Sequence, residues 1–149
     1  MSHLGPWAAS RRRARPAAAP RPEAAERFDR ITRWAPVGIF ETDEAGRCRY
    51  VNARWCELTG LSEAQAMGAG WMTAIDAGDL TAVRAEWQSA AIEQRDFVAE
   101  FRVRLAEGTA RWVGATARAV VDGTGHTVAY VGTLTDLSDR KRQEEDLDR

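Results

Sequence analysis

The sequence predicts an α+β domain: a five-stranded antiparallel sheet with a block of short helices on one face, flanked by a helix before it and a helix after it. Three observations carry this. Strand patterns come as a group of two and then a group of three, joined within each group by tight turns rather than crossover segments. The helical patterns between the groups are contiguous, so they do not alternate with strands as in a doubly wound parallel sheet. The chain has 149 residues, enough for one domain with a core plus tails.

Taken in order, "PEAAERFDRITRW" opens with Pro22 and early acids, and Ala24, Phe28, Ile31 and Ala35 recur at helical spacing. This predicts an amphipathic helix over residues 22–35. "VGIFETDEAGRCRYVN" reads as two short strands around Glu44-Ala45-Gly46. Asn52 is placed to cap a helix through "ARWCELT" that Gly60 ends, and "SEAQ" from Ser62 has the form of a capping box. A longer helix is expected from Asp79, with Leu80, Val83, Trp87 and Ala91 along one face. In "DFVAEFRVRL", Phe97, Ala99, Phe101, Val103 and Leu105 alternate with polar or exposed positions, as a half-buried strand requires. Two more strands, "RWVGATARAVV" and "TVAYVGTLTDL", are joined by the turn "DGTG". The chain then runs into "SDRKRQEEDLDR", a charged helix with almost no apolar stripe.

Composition narrows the function classes. Hydrophobic residues make up 44%, charged residues 29%, and the formal net charge is -1, so bulk charge gives no reason to expect nucleic acid as a partner. The basic residues of the first 21 positions, Arg11, Arg12, Arg13, Arg15 and Arg21, sit in a Pro/Ala-rich stretch without periodicity, predicted to be a disordered leader. No apolar run has the length of a membrane span or signal peptide, which predicts a cytoplasmic protein. Cys48 and Cys56 lack CxxC spacing and read as small buried hydrophobes; His3 and His126 lie in the leader and in a turn. The residues therefore predict no metal site. No nucleophile and base pair or phosphate-binding glycine loop occurs, so no catalytic residue and no enzymatic activity is expected.

Four pieces in order, "GIFETDEAGRCRYVNARWCELTG", "EFRVRLAEGTARWV", "YVGTLTDL" and "SDRKRQEE", resemble the PAS sensory domain with its C-terminal Asp-Ile-Thr-Glu-Arg-Lys linker motif. The resemblance covers about residues 36–138. It implies a sheet that cups a cavity under the helical block, a PAS domain over 36–137, and at 138–149 the start of a signalling helix that continues as a coiled coil. It implies that Phe40, Thr42, Trp55, Trp87, Phe101, Val103, Val113, Ala115, Ala117, Tyr130 and Leu134 face the cavity. Ala115, Ala117 and Ala119 either leave room for a ligand or let the helices approach closely. Trp55, Trp71 and Trp87 read first as core packing and second as an aromatic cage.

The same resemblance implies a sensory module that binds a small ligand or a protein partner and signals through its C-terminal helix. The alternatives are a ligand-free dimerisation module, or the N-terminal part of a histidine kinase, diguanylate cyclase or phosphatase. A conventional His-ligated haem is disfavoured because "DLTAVRAEWQSAAIEQ" holds no histidine, and a cysteinyl-flavin adduct because the Asn-Cys-Arg-Phe string is missing. Non-covalent flavin or a small metabolite stays open. A homodimer is expected through Phe28 and Ile31 with an outer sheet face bearing Trp112 and Val131, where Trp112 is expected beside Arg104. Ser138 is expected to cap the last helix. If Val121 faces His126 across the "DGTG" turn, Arg111 falls opposite Asp136 as a charge pair at the exit of the domain.

Overall fold

A computed structural model of the chain describes residues 21–148. The leader predicted for residues 1–21 lies, apart from Arg21, outside them. Helix α1 runs over Pro22–Trp34. Strands β1 (Gly38–Asp43) and β2 (Cys48–Val51) are followed by α2 (Ala53–Thr59), α3 (Glu63–Ala66), a 3-10 turn (Gly70–Ala74) and α4 (Ala77–Glu93). Strands β3 (Phe97–Arg104), β4 (Ala110–Val121) and β5 (Thr127–Asp136) then lead into α5 (Ser138–Leu147). The five strands form one antiparallel sheet in the order β2-β1-β5-β4-β3. The predicted α+β class and strand count are the observed ones.

The three hairpins close alike. Asp43, Leu105 and Asp122 each donate their N–H to the carbonyl four residues on, at Arg47, Thr109 and His126, while the intervening glycine N–H returns to the first residue. That glycine takes up positive φ, 85° at Gly46 and again at Gly125, where a side chain would be strained. In two of the turns the aspartate adds side-chain acceptance: Asp122 Oδ1 takes the Thr124 and His126 N–H groups, and Asp43 Oδ1 those of Ala45 and Arg47.

Short helices persist here because their ends are satisfied. Asn52 Oδ1 accepts from Trp55 N at 3.0 Å, and Gly60 in the left-handed region ends α2. Ser62 and Gln65 form the reciprocal capping box that the sequence predicts. Helix α4 starts two residues before the expected Asp79, because Asp76 caps it through Gly78 N. Asp79 is thereby freed to tie α4 to β3, where its Oδ2 accepts from Arg102 N and Nε and its Oδ1 from Arg102 Nη2.

The Arg102 guanidinium holds the Asp79 carboxyl below its usual range, against a smaller opposing push from burial. Its folded pKa therefore lies below its unfolded one, so its contribution is present above about pH 4 and is lost as pH falls through the folded value. Asp79→Asn is expected to lower the melting temperature by a few degrees near neutral pH. The difference from the parent chain should close on acidification. A difference that persists unchanged at low pH would assign the loss to packing rather than to the carboxylate.

The core lies between the inner sheet face and the helical block, where Val51, Leu58, Val103 and Val113 are the largest fully buried side chains. Side chains alternate along β3 as expected, with Phe97, Phe101 and Val103 buried and Val98 and Arg104 exposed. Ala119 corrects one expectation, since it is exposed near the end of β4 and has no part in the helix contact.

Candidate functional site

A cavity of about 40 Å³ sits beneath the helical block. From the sheet it is lined by Phe40 and Thr42 of β1, Cys48 of β2, Phe97, Phe101 and Val103 of β3, Ala115 of β4 and Leu134 of β5. From the helices come Trp55 and Thr59, Trp71 with Ala74 and Ile75, and Val83 with Trp87. Eight of the eleven predicted cavity residues line it. Val113, Ala117 and Tyr130 do not; they are buried in the core but away from the void, Tyr130 because its ring packs edge-on against Trp87 at 5.0 Å.

The hydroxyl and thiol groups at the cavity offer a ligand little. Thr42 Oγ1 donates to the Asp43 carbonyl and Thr59 Oγ1 to the Trp55 carbonyl, and burial pushes the Cys48 thiol up, so it stays protonated. A volume of this order holds water-sized groups, whereas pockets for small organic ligands run to about 300 Å³ and more. The lining therefore does not fit a haem or a flavin. It contains no histidine, and the aromatic side chains of Phe40, Trp55, Trp71, Trp87, Phe97 and Phe101 make up much of it. Of the alanines of β4, Ala115 borders the void and Ala117 is buried away from it.

Trp55 is a core residue, as the first reading of the tryptophans holds. Trp71 and Trp87 are different: both are half-buried, in contact at 6.1 Å between ring centroids, and both reach from the cavity to the surface. Their position follows from the β1–β2 turn, because Trp71 Nε1 donates to the Gly46 carbonyl at 3.1 Å. The sequence carries no sign of this contact, which joins residues distant along the chain.

A second cluster lies where the sheet meets α5. The expected pairing of Arg111 with Asp136 is wrong in register, since Asp136 lies opposite Val113 and Arg111 opposite Val103. The turn shifts the ladder by one residue, as Asp122 rather than Val121 meets His126, and a bulge at Val120/Val121 shifts it by one more. Two shifts restore the face, so Arg111 still reaches Asp136, Nε to Oδ2 at 3.8 Å. Its shorter bonds go elsewhere: Nη1 donates to the carbonyls of Glu57 and Leu58 at the end of α2, at 3.0 and 2.8 Å. Arg111 thus bridges the helical block and the domain exit.

Ser138 does not cap α5. It is the first helical residue, and its N–H is taken by Asp136 Oδ1 at 2.8 Å. Partial burial pushes the Asp136 carboxyl up, but the Ser138 hydrogen bonds and the Arg111 and Arg54 cations together outweigh it and hold the group below its usual range. On the outer face Trp112 lies opposite Arg102, not beside Arg104, and Lys141 Nζ of α5 stands 4.5 Å above its ring. Lys141 and Arg140 both pair with Glu100 of β3, and Leu137 N donates to the Trp112 carbonyl at 2.8 Å. Gly114 permits this seat, because an added Cβ would lie 3.0 Å from Leu137 Cδ1. Trp112 is thus partly covered by the chain's own helix and remains half-buried. Phe28, Ile31 and Val131 are exposed.

The sequence model of the family described as PAS fold matches residues 49–134. The chain belongs to the PAS family. Among relatives of this PAS domain, the uncharacterized protein y4lL of Sinorhizobium fredii (strain NBRC 101917 / NGR234) is 31% identical over 83% of the chain, which spans only 15% of that protein. Solved structures share the fold. An RNA-binding Light-Oxygen-Voltage receptor superposes with a TM-score of 0.74 at 20% identity, over 91% of this chain and 40% of that one. The N-terminal domain of a diguanylate cyclase with PAS/PAC sensor from Marinobacter aquaeolei gives 0.65 at 18% identity, over 70% and 98%. A sensory box histidine kinase/response regulator from Burkholderia thailandensis E264 gives 0.63 at 23%, over 81% and 92%. PAS domains are in general sensory rather than catalytic modules. Among the described residues of this one, no group of acids, histidines or cysteines could hold a metal, and no helix is long and apolar enough to cross a membrane.

Proposed function

We propose that this PAS domain is the regulatory module of a signalling protein and that it transmits its state through the seat of α5 on the sheet. The observation that carries this is Arg111, held by two carbonyls of α2 and by the Asp136 carboxylate that fixes the first N–H of α5. A change in the helical block displaces Arg111, and the displacement is felt where the output helix begins. Two alternative seats of α5, biased by a ligand or a partner, would give a population shift. Helix α5 itself has no buried residue, and Leu147 is 85% exposed, consistent with a surface offered to a second helix or to an output domain. The charged ending is then a connector.

Asp136→Asn is the test. Asparagine keeps an acceptor for Ser138 N but loses the charge facing Arg111, and a half-exposed pair of this kind contributes about 0 to 1 kcal/mol. The melt should hardly change. In a fusion to a reporter histidine kinase the signalling level should shift, and identical signalling by both forms would remove Asp136 from the mechanism.

The small cavity favours a second reading, in which the core binds nothing and protein association supplies the signal. Homodimerisation would use the exposed side chains Phe28, Ile31 and Val131. A chain that sediments as a monomer at high concentration would set that aside. Both readings place the protein in the cytoplasm beside a downstream or separate output domain, and neither requires catalysis by this chain.

A further inference from the structure

Outside the core, a surface cleft of about 190 Å³ opens between the β1–β2 turn and α4. Its walls are Gly46, Trp71, Met72, Arg84, Trp87 and Gln88. The two indoles meet at 54°, which makes a V-shaped apolar trough. Its polar groups include donors without protein acceptors. The only described partner of the Arg84 guanidinium is the Met72 thioether, Nη2 to Sδ at 3.6 Å, and no carboxylate lines the cleft. Trp87 Nε1 has no described acceptor, and because no buried side-chain nitrogen lacks a partner, that N–H meets solvent. It borders the turn, since a Cβ on Gly46 would lie 2.7 Å from Nε1.

We propose that this cleft binds a small aromatic carboxylate, with its ring in the trough between Trp71 and Trp87 and its carboxylate on Arg84. The size agrees, because a void of about 150 Å³ accommodates a benzene ring. So does the charge: a guanidinium left with a thioether as its partner gains a charge-assisted, two-pronged bond from a carboxylate. The Trp87 N–H and the Gln88 amide supply further donors. The site also has a route inward. Trp87 packs edge-on against Phe97 of β3 and Tyr130 of β5, each at 5.0 Å, so an occupant that turns the indole is felt on the strand that ends at Asp136. Binding stands independently of the sensory reading; only the consequence at α5 rests on it.

The experiment is a titration of the full chain with phenylacetate, followed by the indole N–H and backbone amide resonances. Saturable shifts are expected at the Trp71 and Trp87 indole N–H groups, with Trp55 unmoved. A ligand of this size reaches dissociation constants of about 0.1 to 10 mM. Arg84→Gln should weaken binding about tenfold, as should the uncharged phenylacetamide with the parent chain. No saturation, shifts centred on Trp55, or equal affinity in Arg84→Gln would overturn the proposal. If the indoles shift while the amides of Lys141–Leu147 do not, the site stands and its coupling to the output helix falls.

Discussion

Replacing Asn52 by alanine is expected to cost about 3 to 5 kcal/mol, more than the loss of a helix cap alone, which averages about 1 kcal/mol. Asn52 is almost fully buried, and its side chain makes four hydrogen bonds in three directions. Oδ1 accepts from Trp55 N at 3.0 Å and from Ile39 N at 2.8 Å, while Nδ2 donates to the carbonyls of Thr32 at 2.7 Å and Val37 at 3.2 Å. Alanine leaves the Ile39 N–H without this partner in a place that water reaches poorly and removes the Nδ2 bonds that hold the end of α1 to this corner, and an unsatisfied buried group costs about 1 to 3 kcal/mol. Asn52→Ser should fall between, keeping the cap and losing the donors. Urea unfolding checks both. A loss below about 1 kcal/mol in the alanine variant would reduce Asn52 to an ordinary cap.

Phe101→Ala should destabilise the domain by about 3 to 5 kcal/mol, because the ring is 6% exposed and belongs to the core while bordering the cavity. The vacated volume merges with the existing cavity of about 40 Å³. The combined space is apolar and large enough for a small hydrocarbon, so benzene should raise the melting temperature of the variant and leave the parent unchanged. An unchanged midpoint on mutation would put Phe101 at the surface and reverse the orientation of β3. A loss that benzene does not restore would mean that the helices collapse into the gap.

Local signals were legible and distant ones were not. The caps at Asn52 and Ser62, the turn glycines and the alternation along β3 depend on neighbours in sequence, and each has its expected structure. The register of β4 on β5 does not, because a bulge at Val120/Val121 has no composition of its own in "RAVVDG". The cavity was legible as a set of inward positions, but its size was not. Whether alternating alanines leave a void depends on how far Trp55, Phe97 and Trp87 reach across from other elements. The role of Arg111 was half legible. Counting along the hairpin put it on the right face but two residues out of register with Asp136, whereas its bonds to the α2 carbonyls join segments more than fifty residues apart.

The strand order has a consequence for how the domain is made. Strand β5 lies at the centre of the sheet yet is the last strand synthesised, and β1 finds its partner only when Gly38 meets Leu134. During translation the β1–β2 hairpin leaves the ribosome with the β1 edge, which β5 later covers, still open, and the helical block has only part of a sheet to rest on. The local hairpins can form early, but the seam between β1 and β5 closes a long loop and must come late. Until then the amino-terminal half exposes an unpaired strand to neighbouring chains and to chaperones. Since α5 follows β5 after a single residue, the step that completes the sheet also delivers α5 to its seat on the outer face. A domain that has not closed holds no seated α5.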